Sequence, residues 1–217
     1  MLNALIDLDG TIADPRAGMI ACVRHALADV QCPTPPDEEI ARHIGPPLRE
    51  TLRHILGPAH EAKQSRALQA FRERYESGGM FETTVYPGIA EMLVRLRERG
   101  AKAFVATSKP TTYSVRILER CGLAAHFASI HGCEMDGTRA DKKELIAHIL
   151  ESESLDPSVT LMVGDRAQDI AGARANDIAS IGVLWGYGSQ EELIAAGAWA
   201  LCEHPSMLPD SLFDWLE

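Results

Sequence analysis

Residues 4–11 of the chain read Ala4-Leu5-Ile6-Asp7-Leu8-Asp9-Gly10-Thr11. The apolar run predicts a buried strand, yet it ends on two carboxylates that are separated by one residue. An unpaired buried charge costs several kcal/mol, so this placement needs compensation. An Asp-Gly turn would explain Asp9 but not Asp7. The stretch therefore favours a strand whose carboxyl end presents acids to a metal ion and a substrate.

Length and composition limit the kind of protein. The chain has 217 residues, of which 46% are hydrophobic and 24% charged, as in a globular protein with one core and space for a smaller module. The formal net charge of -10 argues against nucleic-acid and membrane-surface partners, which favour a basic face. No apolar run approaches the ~20 residues that span a bilayer, and we find no signal peptide. The five cysteines lack C-x-x-C spacing, which predicts reduced thiols and a cytoplasmic location.

The hydrophobic pattern divides the chain into two parts. Residues 14–81 show helical spacing interrupted by proline and glycine, and they contain no convincing strand. From residue 82 onward helices and strands alternate: helices at 88–99, 111–121, 141–152 and 167–176, strands at 101–106, 127–130, 159–163, 178–183 and 198–201, and a C-terminal helix. This alternation predicts an α/β fold, a Rossmann-like parallel sheet core of residues 1–13 and 82–217, with residues 14–81 inserted as an all-helical cap.

Hydroxyl groups follow the predicted strand at 101–106. Thr107 and Ser108 precede a helix there, where hydroxyls and backbone N–H groups can bind a phosphate. A plain helix cap before Pro110 is the alternative, and Lys109 competes as the phosphate contact. We expect Thr107 and Ser108 to bind phosphate.

Two lysines begin the helix after Asp141. Lys142 and Lys143 lie in its first turn, where a positive charge opposes the helix dipole. A compact ammonium that reaches an aspartyl or phosphoryl oxygen would explain this placement. We favour Lys142 in that role, with Lys143 as a solvated surface residue.

The predicted strand at 159–163 also ends on acids. Asp165 and Asp169 are four residues apart, so they lie close together if a helix begins between them. Asp165 would complete a set of oxygen ligands around Mg²⁺. Taken alone, the pair is better explained by helix capping through Asp165, with Asp169 as a favourable charge in the first turn. Capping does not explain why successive strands end in the groups that phosphoryl transfer requires.

In this order, the motifs resemble those of the haloacid dehalogenase superfamily of phosphohydrolases. Residues 7–11 match its first motif, Thr107 the second, Lys142 the third, and Asp165 with Asp169 the fourth. The resemblance covers the whole chain and includes a helical cap after the first motif. Residues 105–110 and 185–188 resemble the corresponding stretches of phosphoglycolate phosphatase-like enzymes.

The resemblance implies a mechanism and a set of site residues. Asp7 would form an aspartyl-phosphate, and Asp9 would act as general acid and then as general base. Magnesium would be bound by Asp7, the backbone carbonyl of Asp9, and Asp165. The supporting contacts to the phosphoryl group, the lysine and the metal would come from Thr107, Ser108, Lys142 and Asp169.

The resemblance also implies a substrate class. We expect a small phosphorylated metabolite, with 2-phosphoglycolate preferred; alternatives in the superfamily are a nucleoside 5′-monophosphate phosphatase, a pyrophosphatase and a sugar phosphomutase. Carbon–halogen cleavage is disfavoured because Asp9 is present. Arg49 is a candidate specificity residue that could pair with a carboxylate or a second phosphate, or simply be solvated. A phosphorylatable receiver-like signalling module is the alternative of another class, and both a monomer and a homodimer are open.

Overall fold

The computed structural model describes residues 1–216, and the chain divides into two compact units. One unit consists of Met1–Ala13 together with the residues from Val85 onward, and the other is Asp14–Thr84. The chain therefore leaves the first unit directly after the 4–11 stretch and returns to it about seventy residues later. Elements are numbered in chain order below.

The first unit contains a six-stranded parallel sheet in the order β5-β4-β1-β6-β7-β8. Its strands are β1 Asn3–Ile6, β4 Lys102–Pro110, β5 Ile130–Cys133, β6 Thr160–Gly164, β7 Ala179–Val183 and β8 Ala200–Cys202. The α-helices of this unit are α5 Ile89–Glu98, α6 Thr111–Arg120, α7 Lys142–Ser152, α8 Ala167–Arg174, α9 Gln190–Ala196 and α10 Leu208–Asp214. The predicted Rossmann-like α/β core is confirmed.

The sheet carries a hydrophobic core on each face because side chains alternate along a strand. Ile6, Val105 and Val163 belong to one core, together with apolar residues of α5 and α10. Leu5 belongs to the other, which includes buried residues of α7 and α8. All four residues of β1 are buried, as the central strand of such a sheet requires.

Strand β1 lies where the strand order reverses. The chain first adds β4 and β5 on one side of β1, and then adds β6, β7 and β8 on the other. In open parallel sheets, ligands bind in the crevice at the carboxyl ends of the strands at such a switch point. Ile6 pairs with Val105 of β4 and with Val163 of β6, so the residues that follow these three meet at one edge.

The second unit is mostly helical. Its α-helices are α1 Arg16–Asp29, α2 Asp37–Ala41, α3 Leu48–Leu56 and α4 Gln64–Glu76, with 3-10 turns at Pro58–Lys63 and Gly79–Phe81. Two short strands, β2 Ala13–Asp14 and β3 Thr84–Val85, pair where the chain passes between the units. The longest of the described helices, α1, has 14 residues, and none of them combines the length and hydropathy that a bilayer crossing requires.

Four local predictions differ from the structure. The strand predicted at 101–106 is β4 at Lys102–Pro110, so Thr107 and Ser108 lie within the strand and not after it. The strand predicted at 127–130 is β5 at Ile130–Cys133, preceded by a 3-10 turn at Ala124–His126. Phe127 resembles a strand residue because it is apolar, but it packs into the core from the connection. The strand predicted at 198–201 is β8 at Ala200–Cys202, and the helix α9 before it was not predicted. Seven residues are too few to show helical periodicity, although Ser189 caps this helix by accepting from the Glu192 N–H at 3.1 Å.

Candidate active site

Asp7 and Asp9 lie at the carboxyl end of β1. A tight turn follows, in which the N–H groups of Ile12 and Ala13 donate to the Leu8 carbonyl at 2.9 and 3.0 Å. Gly10 has φ of +87° in this turn, and a Cβ atom built on it would lie 2.2 Å from Oδ2 of Asp165. Glycine is therefore required both by the backbone conformation and by the approach of the fourth-motif carboxylate.

Lys142 reaches from the first turn of α7 into this edge of the sheet. Its Nζ atom lies 2.8 Å from Oδ1 of Asp7, 2.6 Å from Oδ1 of Asp169 and 2.6 Å from the carbonyl oxygen of Ala106. Burial lowers the pKa of Lys142, but the Asp169 and Asp7 carboxylates outweigh burial and raise it above its ordinary value. Lys142 is thus a charged, buried ammonium, whereas Lys143 is exposed.

Asp165 and Asp169 follow β6, and α8 begins between them at Ala167. Asp165 accepts hydrogen bonds from the hydroxyl of Thr11 at 3.2 Å and from the N–H of Tyr187 at 2.8 Å. It does not cap α8. The capping role considered for Asp165 is therefore wrong. Asp169 accepts from the Arg166 N–H at 3.1 Å at the start of α8, and it contacts Lys142 as well.

Three buried carboxylates converge beside Lys142. Oxygen atoms of Asp7, Asp165 and Asp169 all lie within 4.8 Å of one another. Burial, reinforced by the neighbouring carboxylates, raises the pKa of Asp165 well above its ordinary value, and burial raises the pKa of Asp169 to about 6. One ammonium balances only one of the three negative charges. The cluster therefore fits a hard divalent cation, which would supply the missing positive charge.

Thr107 and Ser108 lie near the end of β4. Thr107 is buried, and its hydroxyl oxygen accepts from the Lys109 N–H at 3.3 Å, which leaves the hydroxyl hydrogen available to a ligand. The Ser108 hydroxyl donates to the Ala140 carbonyl at 2.8 Å. The Ser108 hydroxyl is thus hydrogen-bonded to the segment before α7. A phosphate contact from this side chain stays a prediction, and it would require that this hydrogen bond breaks.

A second lysine pairs with the second aspartate. Nζ of Lys109 lies 2.5 Å from Oδ1 of Asp9, and the two side chains are only 7% and 13% exposed. Burial raises the pKa of Asp9 despite the opposing effect of Lys109. The sequence indicated Lys109 only as a competing phosphate contact, and this ion pair was not predicted. The one available signal was a lysine beside the hydroxyls of the second motif.

Arg49 belongs to the second unit. It is exposed near the start of α3, and its backbone carbonyl accepts from the Gln64 side-chain amide at 2.8 Å. Among residues 1–216 no hydrogen bond or ion pair of its guanidinium is found, so its part in specificity stays a prediction.

Comparison with known proteins agrees with this geometry. Residues 4–183 match the model of the haloacid dehalogenase-like hydrolases. The chain belongs to this family. The resemblance inferred from the motifs is confirmed, and the family assignment favours a hydrolase over a signalling receiver.

Curated relatives of this hydrolase carry several names. A 5′-nucleotidase of Pseudomonas aeruginosa is 42% identical over 89% of this chain and 87% of its own. The tyrosine-protein kinase PtkA of Mycobacterium tuberculosis is 39% identical over 85% of this chain, which spans 62% of that longer protein. A phosphoglycolate phosphatase of Cupriavidus necator is 29% identical over 94% of this chain and 90% of its own.

A solved structure confirms the fold of this hydrolase over nearly its whole length. The crystal structure of a predicted phosphatase from Clostridium acetobutylicum superposes with a TM-score of 0.93 at 34% identity, covering 98% of each chain. The family and these relatives confirm the expectation of a phosphoric monoester hydrolase. Which ester it cleaves is a separate question.

Proposed function

We propose that the protein is a Mg²⁺-dependent phosphatase that hydrolyses a small phosphomonoester through an aspartyl-phosphate on Asp7. The observation that carries this proposal is the convergence of Asp7, Asp165 and Asp169 around Lys142 at the carboxyl edge of the sheet. A stability role alone does not account for it, because a buried cluster with excess negative charge is costly. Such a cost is typical of a site shaped for a ligand.

Asp7 is the proposed nucleophile. Lys142 contacts Oδ1 of Asp7, and no hydrogen bond in the described part of the chain engages Oδ2. One carboxylate oxygen is thus oriented while the other is available to attack phosphorus in line. The new oxygen–phosphorus bond forms as the bond to the ester oxygen breaks, which divides one difficult displacement into two steps.

Asp9 is the proposed general acid and base. It would donate a proton to the leaving alcohol in the first step. It would then accept a proton from the water that hydrolyses the aspartyl-phosphate. The raised pKa of Asp9 supports this role, because a buried carboxyl that binds its proton more tightly can act as an acid near neutral pH.

The phosphoryl oxygens need donors that are already in place. Lys142 supplies a buried ammonium, and Thr107 supplies a hydroxyl hydrogen that no described acceptor takes. Asp169 orients Lys142 through the 2.6 Å contact. Preorganised donors of this kind stabilise the charge that develops on the phosphoryl group during transfer.

Magnesium is proposed from the donor set. The side chains of Asp7 and Asp165 and the backbone carbonyl of Asp9 would bind it, with Asp169 close enough to support them. All of these ligands are oxygen atoms, which Mg²⁺ prefers. When bound, the cation neutralises charge between the nucleophile and the phosphoryl group.

Two esters are the leading candidates. We retain 2-phosphoglycolate, which relatives named phosphoglycolate phosphatases support. A nucleoside 5′-monophosphate is supported by the more similar relative, named a 5′-nucleotidase. We also propose that residues 14–81 act as a cap that limits access of water and selects the substrate, with Arg49 as a contact to a substrate anion.

The test is a screen of phosphate release. The purified protein is incubated with 2-phosphoglycolate, nucleoside 5′-monophosphates, sugar phosphates, pyrophosphate and p-nitrophenyl phosphate, with Mg²⁺ and with EDTA. We expect multiple turnovers that EDTA abolishes and Mg²⁺ restores. Single stoichiometric labelling, or turnover that is unaffected by EDTA, would contradict the proposal.

A further inference from the structure

We propose that Lys109 is the positioning residue for Asp9: its ammonium holds one carboxyl oxygen so that the other faces the leaving group. This inference rests on the proposed phosphatase function and adds a residue to the reaction. The inference concerns the position of the Asp9 carboxyl group. It is based on the ion pair in which Nζ of Lys109 lies 2.5 Å from Oδ1 of Asp9.

The side chain of Asp9 has one partner. Lys109 engages Oδ1, and within residues 1–216 no hydrogen bond engages Oδ2. The turn after β1 fixes the backbone of this segment, but it does not determine how the side chain is rotated. The rotation of the Asp9 carboxyl therefore depends on Lys109.

Lys109 is itself held firmly. Its backbone N–H donates to the hydroxyl of Thr107 at 3.3 Å. On the neighbouring strand, a Cβ atom built on Gly132 would lie 2.2 Å from the Lys109 carbonyl oxygen, so the two backbones are in direct contact. The lysine thus connects a proposed phosphate ligand with the proposed acid, on strands whose relative position is fixed by the sheet.

The position of the Asp9 carboxyl group matters most in the step that releases the alcohol. When the phosphorus–ester oxygen bond breaks, the proton of Asp9 moves to the leaving oxygen. Phenyl phosphate and p-nitrophenyl phosphate have similar shapes, but p-nitrophenolate delocalises its charge and leaves without that proton. A misplaced Asp9 should therefore slow the cleavage of phenyl phosphate more than that of p-nitrophenyl phosphate.

The experiment measures kcat/KM for both esters in the wild type and in the Lys109→Met variant. This parameter reports the steps up to departure of the first alcohol. We expect a loss of about tenfold or more for phenyl phosphate and less than about threefold for p-nitrophenyl phosphate, since general acid catalysis contributes typically ~10²–10⁴-fold and poor positioning forfeits part of it. Lys102→Met, at the exposed start of the same strand β4, is the matched control and should leave both values unchanged.

If the Lys109→Met variant does not fold, a second comparison, between Asp9→Asn and the Asp9→Asn/Lys109→Met double variant, tests the inference. The Asp9→Asn/Lys109→Met double variant removes both members of the pair and leaves no buried charge without its partner. In the Asp9→Asn background, Lys109→Met should lower kcat/KM by less than about twofold, because a residue that acts through Asp9 has nothing left to position.

Two results would overturn the inference. An equal loss for both esters, with weaker inhibition by inorganic phosphate, would make Lys109 a phosphate ligand instead. Unchanged kinetics in Lys109→Met would show that Asp9 needs no such partner. Failure of the proposed function is recognised separately, because the wild type would then cleave neither ester.

Discussion

Lys142 and Asp7 are 135 residues apart in the chain, and Nζ of the lysine lies 2.8 Å from Oδ1 of the aspartate. The same ammonium contacts Asp169 at 2.6 Å, so one buried cation links the end of β1 with the first turn of α8. This arrangement explains why a lysine occupies the first turn of α7 despite the unfavourable helix dipole. Asp141 offsets that effect by accepting from the N–H groups of Lys143 and Glu144.

The Asp7→Asn variant tests the nucleophile. It should fold and lose kcat by at least ~10³-fold, because an amide oxygen is a poor nucleophile toward phosphorus and loss of a covalent catalyst typically costs this much or more. Steady-state phosphate release measures the loss, with Asp136→Asn in an exposed turn as the control. Retained turnover in Asp7→Asn would exclude Asp7 as the nucleophile.

The two lysines at the start of α7 should behave very differently. Lys142→Met leaves the carboxylates of Asp7 and Asp169 buried without their cation, so the free energy of unfolding should fall by ~3–5 kcal/mol. Lys143→Met should change it by less than ~0.5 kcal/mol, because that side chain is exposed. Urea unfolding of both variants measures the difference. Equal changes in the free energy of unfolding would show that the contacts of Lys142 with Asp7 and Asp169 do not stabilise the fold.

Replacing Asp165 should separate metal binding from stability. Asparagine keeps an acceptor for the Tyr187 N–H, and its amide can donate to the Thr11 hydroxyl oxygen, so the local contacts survive. The Asp165→Asn variant should be at least as stable as the metal-free wild type, because a buried charge beside two other carboxylates is removed. It should also need at least about tenfold more Mg²⁺ for half-maximal activity. Magnesium titrations of activity and thermal unfolding test both parts; an unchanged requirement for Mg²⁺ would contradict the proposed ligand set.

The metal-free protein should become more stable as pH falls from about 7 to 5. The folded-state pKa of Asp169 is raised to about 6 from its ordinary value of 3.8, so in this range the folded state binds more protons than the unfolded state. Stability therefore increases as pH decreases, by about 1 kcal/mol for this group. Carboxyls with lowered pKa values, such as Asp136 and Asp156, oppose this trend only where the pH is near or below their ordinary pKa of 3.8.

Bound Mg²⁺ should remove this pH effect, since the cation and the protons compete for the same carboxylates. Urea unfolding at pH 5, 6 and 7, with EDTA and with excess Mg²⁺, measures it. A metal-free protein whose stability rises with pH across this range would show that the acidic cluster is not proton-binding in the folded state.

The strands were predictable wherever a buried apolar run ended on a distinctive residue. Strand β1 before Asp7 and strand β6 before Asp165 lie within one residue of their expected positions. Strand β5 and helix α9 were misplaced or missed, because both are short and their residues resemble those of the neighbouring connections. The local hydrophobic pattern predicts a helix or strand reliably only where the segment is long or is followed by a distinctive residue such as an aspartate.

Only some of the contacts between distant segments could be predicted from the sequence. The aspartates of the first and fourth motifs were expected to meet, and they do. The partner of Asp9 was not expected, because whether Lys109 reaches that carboxylate depends on the relative height of β1 and β4. The hydroxyl of Ser108 was expected to face a phosphate, but it donates to the carbonyl of Ala140, 32 residues later in the chain.

By itself the sequence determined the α/β alternation, the acidic strand ends and the lysine that opposes its own helix, since each of these follows from hydrophobic period and local chemistry. The tertiary structure alone decided that Lys109 pairs with Asp9. A parallel sheet brings the ends of β1, β4 and β6 to one edge. The register of the strands then sets the distances between their side chains, and these distances cannot be read from the separation of the residues in the sequence. Ion pairing depends on those distances to within an ångström, so the partner of Lys109 became known only once the strands were in register.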